Sequence, residues 1–126
     1  MEPRVLIIDG HTEDVQLMSE VLVLRGFAIG VARDGDRALE MLEEHRPDVV
    51  LLDVAGPNAN GMEILDRIRA NPHVASTPVI IVTARTGDDD VLAGYKFGAD
   101  YYLTKPFTAR RLLRALGLVL GREFPE

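Results

Sequence analysis

The sequence predicts an α/β domain in which helices cover both faces of an open parallel sheet. Five short apolar runs alternate along the chain with five segments of helical periodicity. The runs are apolar almost without interruption, as strands that are buried on both faces must be. Right-handed crossovers between such strands place the helices on the two faces. The chain has 126 residues and no visible linker or internal repeat, so residues 1–126 are expected to form one domain.

The first strand is predicted in "RVLIID", where an apolar run ends at Asp9 before Gly10. A helix is predicted from about Thr12 to Arg25, with Gly26 as its C-terminal stop. The apolar residues of this helix recur at helical spacing: Val15, Met18, Val21 and Leu22. The other strands are expected, in chain order, in "FAIGVA", "DVVLLD", "TPVIIVTA" and "DYYLT".

Four further helices are predicted between and after these strands, in "DGDRALEMLEEHRP", "GMEILDRIRANP", "GDDDVLAGYKFG" and "TARRLLRALGLVLG". The second helix should end before Pro47, and Thr108 should cap the last one. Acids near the start of the fourth helix suit its positive end; they are Asp88, Asp89 and Asp90. A solvated or partner-facing side of the last helix is expected at Arg110, Arg111 and Arg114.

The composition narrows the class of function. The chain has no cysteine, which excludes disulfides, thiolate catalysis and a cysteine zinc site and fits a reducing compartment. It has no apolar stretch long enough to cross a bilayer and no recognisable leader. Its net charge of -6 offers no cationic field for a phosphate backbone. We therefore expect a cytoplasmic protein with no membrane contact and no direct nucleic-acid binding.

Polar side chains stand where four of the predicted strands end. Asp9 ends the first strand, Asp53 the third and Thr83 the fourth, and the fifth runs into Lys105. In open α/β sheets the functional crevice lies beyond the carboxyl ends of the strands. Two carboxylates, a hydroxyl and an ammonium group suit phosphoryl transfer to a carboxylate, with Mg²⁺ neutralising the transferring oxygens.

Three segments and their spacing carry a family resemblance: "LLDVAGPNANG", "PVIIVTAR" and "GADYYLTKPF". They place Asp53 before Pro57 and Gly61, then Thr83-Ala84, then Lys105-Pro106. With these motifs the chain resembles a two-component receiver domain along nearly its whole length. The resemblance implies a flavodoxin-like, doubly wound sheet of five parallel strands in the order 2-1-3-4-5.

The resemblance also implies roles for individual residues. Asp53 would accept a phosphoryl group from a histidine kinase or phosphotransfer protein, and Thr83 and Lys105 would bind that group. Asp9 would hold metal-bound water, with Asp53 and the carbonyl of Ala55 as metal ligands. The chain would be a signalling switch that acts on a downstream protein partner, not an enzyme beyond its own phosphorylation and dephosphorylation.

Two further expectations come from the same resemblance. Tyr102 would be the switch aromatic that turns inward when Thr83 is drawn to the phosphoryl oxygen, although an aromatic residue in a strand also fits ordinary packing. The Lys105-Pro106 peptide bond would be cis.

Gly10 departs from the family pattern, because the family usually has a metal-binding acid there. We therefore expect weak Mg²⁺ binding, with a water in the vacated position. In a second reading a neighbour substitutes: His11, which would favour Mn²⁺, or Glu13 or Asp14. The simpler interpretation of His11 is a residue at the rim of the site in contact with water.

Other functions stay open. The domain could act as an unphosphorylated docking module through the face of helix 4, strand 5 and helix 5. Tyr101 replaces an acid that is common in the family and that often pairs with an arginine across a dimer interface on this face. Its absence puts that dimer in doubt, while a homodimer of another kind stays possible. A flavin-binding or dinucleotide-binding protein of similar architecture is disfavoured, because "DGHTED" lacks the required glycines.

Overall fold

The computed structural model describes residues 2–55 and 61–124. Strands and helices alternate strictly along these residues, as the sequence predicts. The strands are β1 (Arg4–Ile8), β2 (Ala28–Ala32), β3 (Val49–Leu52), β4 (Val79–Thr83) and β5 (Tyr101–Thr104). The helices are α1 (Thr12–Leu24), α2 (Gly35–His45), α3 (Gly61–Ala70), α4 (Asp88–Lys96) and α5 (Ala109–Leu120).

The five strands form one parallel sheet in the order β2-β1-β3-β4-β5. This order confirms the flavodoxin-like, doubly wound arrangement. Alternate residues of each strand point to opposite faces, so the sheet has a hydrophobic core on each side. On one side α1 and α5 pack against Val5 and Ile7. On the other, α2 and α3 pack against Leu6 and Ile8.

The predicted helix boundaries are also found. Arg25 follows α1 as its C-cap, and Gly26 has a φ of +84°, a conformation that glycine adopts without strain. Helix α2 ends at His45, before Pro47. The Thr108 side chain caps α5 by accepting a hydrogen bond of 3.2 Å from the backbone N–H of Arg111. Within the described ranges, no helix combines the length and apolarity that crossing a bilayer requires.

Candidate functional site

The register of β1 and β3 brings Asp9 and Asp53 side by side. Ile8 pairs with Leu52 across these strands, and each aspartate is the next residue in its chain. The backbone N–H of Asp53 continues the ladder by donating to the Ile8 carbonyl at 2.9 Å. Both carboxylates are nearly inaccessible, with 1% of each side chain exposed. The central strands therefore present two buried acids at their carboxyl ends.

Lys105 and Thr83 reach the same edge from β5 and β4. Thr83 pairs with Thr104, and the N–H of Lys105 donates to the Thr83 carbonyl at 2.8 Å. The Thr83 side chain is fully buried. The Lys105-Pro106 peptide bond is cis, as expected. All four polar strand-end residues thus converge, although they are far apart in the sequence.

The Lys105 ammonium group bonds to three carboxylates. It donates to Asp9 Oδ2 at 2.9 Å, to Asp14 Oδ2 at 2.8 Å and to Asp53 Oδ2 at 2.8 Å. Burial alone would lower the pKa of Lys105, but these three hydrogen bonds outweigh it and the pKa is raised. The lysine is therefore charged, and three acidic side chains face this one ammonium group.

Asp53 is held as a carboxylate. Burial alone would raise its pKa, but the hydrogen bonds from Lys105 and from the Ala55 N–H, with a smaller contribution from Thr83, outweigh burial and lower it. The Ala55 N–H donates to Asp53 Oδ1 at 2.8 Å. An ionised carboxylate is the form that can act as a nucleophile or bind a cation.

The imidazole of His11 lies against both buried acids. Its Nδ1 is 2.9 Å from Asp9 Oδ1 and 2.9 Å from Asp53 Oδ2. The backbone N–H of His11 also donates to Asp9 Oδ1 at 2.8 Å. His11 is therefore more than the rim residue of the simpler interpretation: its side chain is 43% exposed, but its ring faces the carboxylates.

Tyr102 is linked to Thr83 through the backbone of Arg85. The Tyr102 hydroxyl donates to the Arg85 carbonyl at 2.7 Å, and the Arg85 N–H donates to Thr83 Oγ1 at 3.4 Å. Burial, followed by the charge of Asp90, raises the pKa of Tyr102. The ring is only partly buried and packs against the core on the α2 and α3 side of the sheet.

An open cavity of about 380 Å³ collects most of these groups. Its lining includes Asp53, Ala55 and Lys105 together with His11 and Asp14.

The contact between Asp14 and Lys105 was not predicted from the sequence. The available signal was the position of Asp14 in the first turn of the helix that follows the first strand. Pro57, part of the motif that suggested the family, lies outside the described residues. Glu13 is exposed and is not part of the His11–carboxylate cluster.

The charged residues of α4 and α5 lie as predicted. The three acids of α4 occupy its first turn, where negative charge interacts favourably with the helix dipole. The three arginines of α5 are exposed.

Comparisons with known proteins report on the family and the fold of this chain. The sequence model described as the response regulator receiver domain matches residues 5–117. The transcriptional regulatory protein CpxR of Escherichia coli K12 is 39% identical over 119 residues, which cover 94% of this chain and 50% of CpxR. PrrA of Mycobacterium tuberculosis, also a transcriptional regulatory protein, is 36% identical over 120 residues, or 95% of this chain and 51% of PrrA. The chain thus spans about half the length of these curated relatives.

A solved structure shares the fold over its full length. The chemotaxis response regulator CheY4 of Vibrio cholerae superposes with a TM-score of 0.88 at 31% identity, covering 95% of this chain and 100% of CheY4.

Proposed function

The chain belongs to the response regulator receiver domains of two-component systems, and we propose that it is a phosphorylation switch whose acceptor is Asp53. The observation that carries this proposal is the convergence of a buried, ionised Asp53 with Lys105 and Thr83 at one sheet edge. A docking domain would have no chemical need for all three. The direct phosphate donor would be a histidine kinase or a phosphotransfer protein.

The proposed reaction uses the carboxylate as a nucleophile. An oxygen of Asp53 attacks the phosphorus of a phosphohistidine, the phosphorus–nitrogen bond breaks, and the donor imidazole recovers a proton. Lys105 supplies positive charge next to the acceptor, since its Nζ is 2.8 Å from Asp53 Oδ2. The Thr83 hydroxyl can donate to a second phosphoryl oxygen. The chain would be a signalling switch whose chemistry is limited to its own phosphorylation and dephosphorylation.

A divalent cation would neutralise the phosphoryl oxygens during this transfer. The donor set fits one: Asp9 and Asp53 present carboxylate oxygens, the local charge is negative, and the Ala55 carbonyl completes the expected ligands. Gly10 supplies none. We therefore propose that Mg²⁺ binds weakly, with Mn²⁺ as an alternative, and that Gly10→Asp increases Mg²⁺ affinity by at least about 10-fold. An unchanged affinity in this variant would contradict the account of Gly10.

The route from the site to the surface would run through Arg85. When Thr83 turns to a phosphoryl oxygen, its hydroxyl leaves the Arg85 N–H, and the loop that accepts the Tyr102 hydroxyl is free to shift. Phosphorylation would then favour the conformation with Tyr102 turned inward. The size of this shift would equal the difference in free energy between the contacts that the phosphoryl group makes in the two conformations. The changed surface, formed by α4, β5 and α5, would bind a downstream protein partner.

One observation keeps an unphosphorylated docking module as the second candidate. Three large apolar side chains on and just after α4 are exposed: Leu92, Tyr95 and Phe97. Such residues could bind a partner without phosphorylation, so dependence on Asp53 must be measured directly.

The deciding experiment treats the purified chain with a small phosphodonor and a divalent cation and follows aspartyl phosphate by intact mass. Asp53→Asn should abolish the modification. Asp66→Asn, a change at an exposed aspartate of α3, is the matched control and should leave it intact. Beryllofluoride, a phosphoryl mimic, should shift the amide resonances of Thr83 and Tyr102 by NMR. Modification that persists in Asp53→Asn would refute the acceptor assignment, and no response to either reagent would favour the docking module.

A further inference from the structure

The placement of the His11 ring is not explained by the helix that it precedes. His11 is the N-cap residue of α1, yet its side chain makes no capping hydrogen bond. The ring instead turns toward the sheet edge, where Nδ1 contacts a carboxylate oxygen of Asp9 and one of Asp53. A hydrogen bond from its own backbone N–H to Asp9 Oδ1 fixes the start of the side chain next to that acid.

The donor atoms of Asp9, His11 and Asp53 lie within 4.8 Å of one another, close enough to contact one ion. Ligands about 2.1 Å from a metal and at right angles to each other are about 3.0 Å apart. The two distances from Nδ1 to the carboxylate oxygens are both 2.9 Å. The half-exposed ring leaves a path from solvent, while the two acids are buried. The three side chains therefore form a compact nitrogen and oxygen donor set.

We propose that His11 is a direct metal ligand, through Nδ1, in place of the carboxylate that position 10 lacks. A metal ligand at Nδ1 requires the tautomer in which Nε2 carries the ring proton. Imidazole is a softer ligand than carboxylate and suits first-row transition metals better than Mg²⁺. His11 therefore shifts the selectivity of the site toward such ions, with Mn²⁺ as the accessible probe.

The net charge of the site is consistent with this ligand set. Three acidic side chains surround one ammonium group, an acidic environment that suits a divalent cation. The inference rests on the proposed function in one respect: the bound ion is taken to be the cation that assists phosphorylation of Asp53. Binding itself requires no phosphodonor.

Calorimetric titration of the unphosphorylated protein with Mn²⁺ and, separately, with Mg²⁺ tests the inference. His11→Ala should weaken Mn²⁺ binding by at least about 10-fold and Mg²⁺ binding by much less. His45→Ala, which changes an exposed histidine at the end of α2, is the matched control and should change neither. His11→Gln, which retains a polar side chain but no imidazole, should resemble His11→Ala, and circular dichroism should show both variants folded.

Pulsed electron paramagnetic resonance of bound Mn²⁺ gives a direct readout. The wild-type protein should show coupling to a directly bound nitrogen, and His11→Ala should lose it. Equal Mn²⁺ affinity in wild type and His11→Ala, or no nitrogen coupling, would overturn the inference. A gain in affinity for both ions in His11→Ala would also overturn it, since His11 would then be a competing cation and not a ligand.

The two proposals can fail separately. Nitrogen coupling without phosphorylation of Asp53 would refute the proposed function and support His11 as a metal ligand. Phosphorylation of Asp53 with no effect of His11→Ala on metal binding would keep the proposed function and rule out His11 as a ligand.

Discussion

Within the described ranges Lys105 is the one cation that contacts all three acids of the site, and Lys105→Ala removes it. Lys105 Nζ lies 2.8 to 2.9 Å from oxygens of Asp9, Asp14 and Asp53. Only 9% of the lysine side chain and 1% of the Asp9 and Asp53 side chains are exposed. Truncation would leave two buried carboxylates close together, and His11 would be the remaining side chain that contacts both.

Removing one partner of a buried ion pair typically costs about 3–5 kcal/mol. Two features reduce the cost here: Asp14 is 33% exposed and is partly solvated, and the His11 ring stays beside the other two acids. We therefore expect Lys105→Ala to lower the free energy of unfolding by about 3 kcal/mol in the absence of divalent cations. For a domain of this size, that loss lowers Tm by about 12 °C.

The variant should also respond to pH differently from the wild type. In the wild type the pKa of Asp53 is lowered, so its contribution is present above its unfolded value of about 3.9 and is lost as pH falls through the folded value. The raised pKa of Lys105 gives a contribution that is present below about 10.4 and is lost as pH rises through the folded value. These two groups therefore leave wild-type stability flat between pH 7 and pH 5.

In Lys105→Ala the crowded acids should bind protons more tightly in the folded than in the unfolded state, because like charges raise a carboxyl pKa. The folded state would then hold more protons, so stability should rise as pH falls from 7 to 5. Urea unfolding at both pH values, with Lys96→Ala as the control, measures this. Lys96 is the only other lysine, and it is exposed. A loss below about 1 kcal/mol at pH 7, or a pH dependence like that of the wild type, would refute the reasoning.

Three other substitutions test how the site is supported. Gly61→Ala should destabilise the fold and shift the resonances around Asp53, since its Cβ would lie 2.8 Å from the Asp53 carbonyl oxygen; denaturant unfolding with unchanged stability would contradict this. Thr108→Ala should cost about 1 kcal/mol by removing the cap of α5, and an unchanged Tm would show that the cap contributes nothing. Tyr102→Phe should cost about 1 kcal/mol, because the Arg85 carbonyl loses the hydroxyl donor; amide exchange should report a looser loop, and unchanged exchange would argue against the link.

Much of the fold could be predicted because its signals are local. Buried parallel strands leave near-continuous apolar runs, and helices between them leave helical periodicity and stop signals such as Gly26. The convergence of Asp9, Asp53, Thr83 and Lys105 was also predictable, since the carboxyl ends of parallel strands meet at one edge. The strand order itself came from the family resemblance, because local periodicity does not say which strands are neighbours.

The sequence by itself determined the order of the elements and the chemistry available at the strand ends. Only the tertiary structure decided which of those groups touch. Lys105 bonds to Asp14 as well as to the two strand-end acids, and Nδ1 of the half-exposed His11 ring faces the carboxylates. These contacts depend on the strand register and on side-chain rotamers. Both are set by packing between segments that are distant in the chain, so no local sequence pattern encodes them.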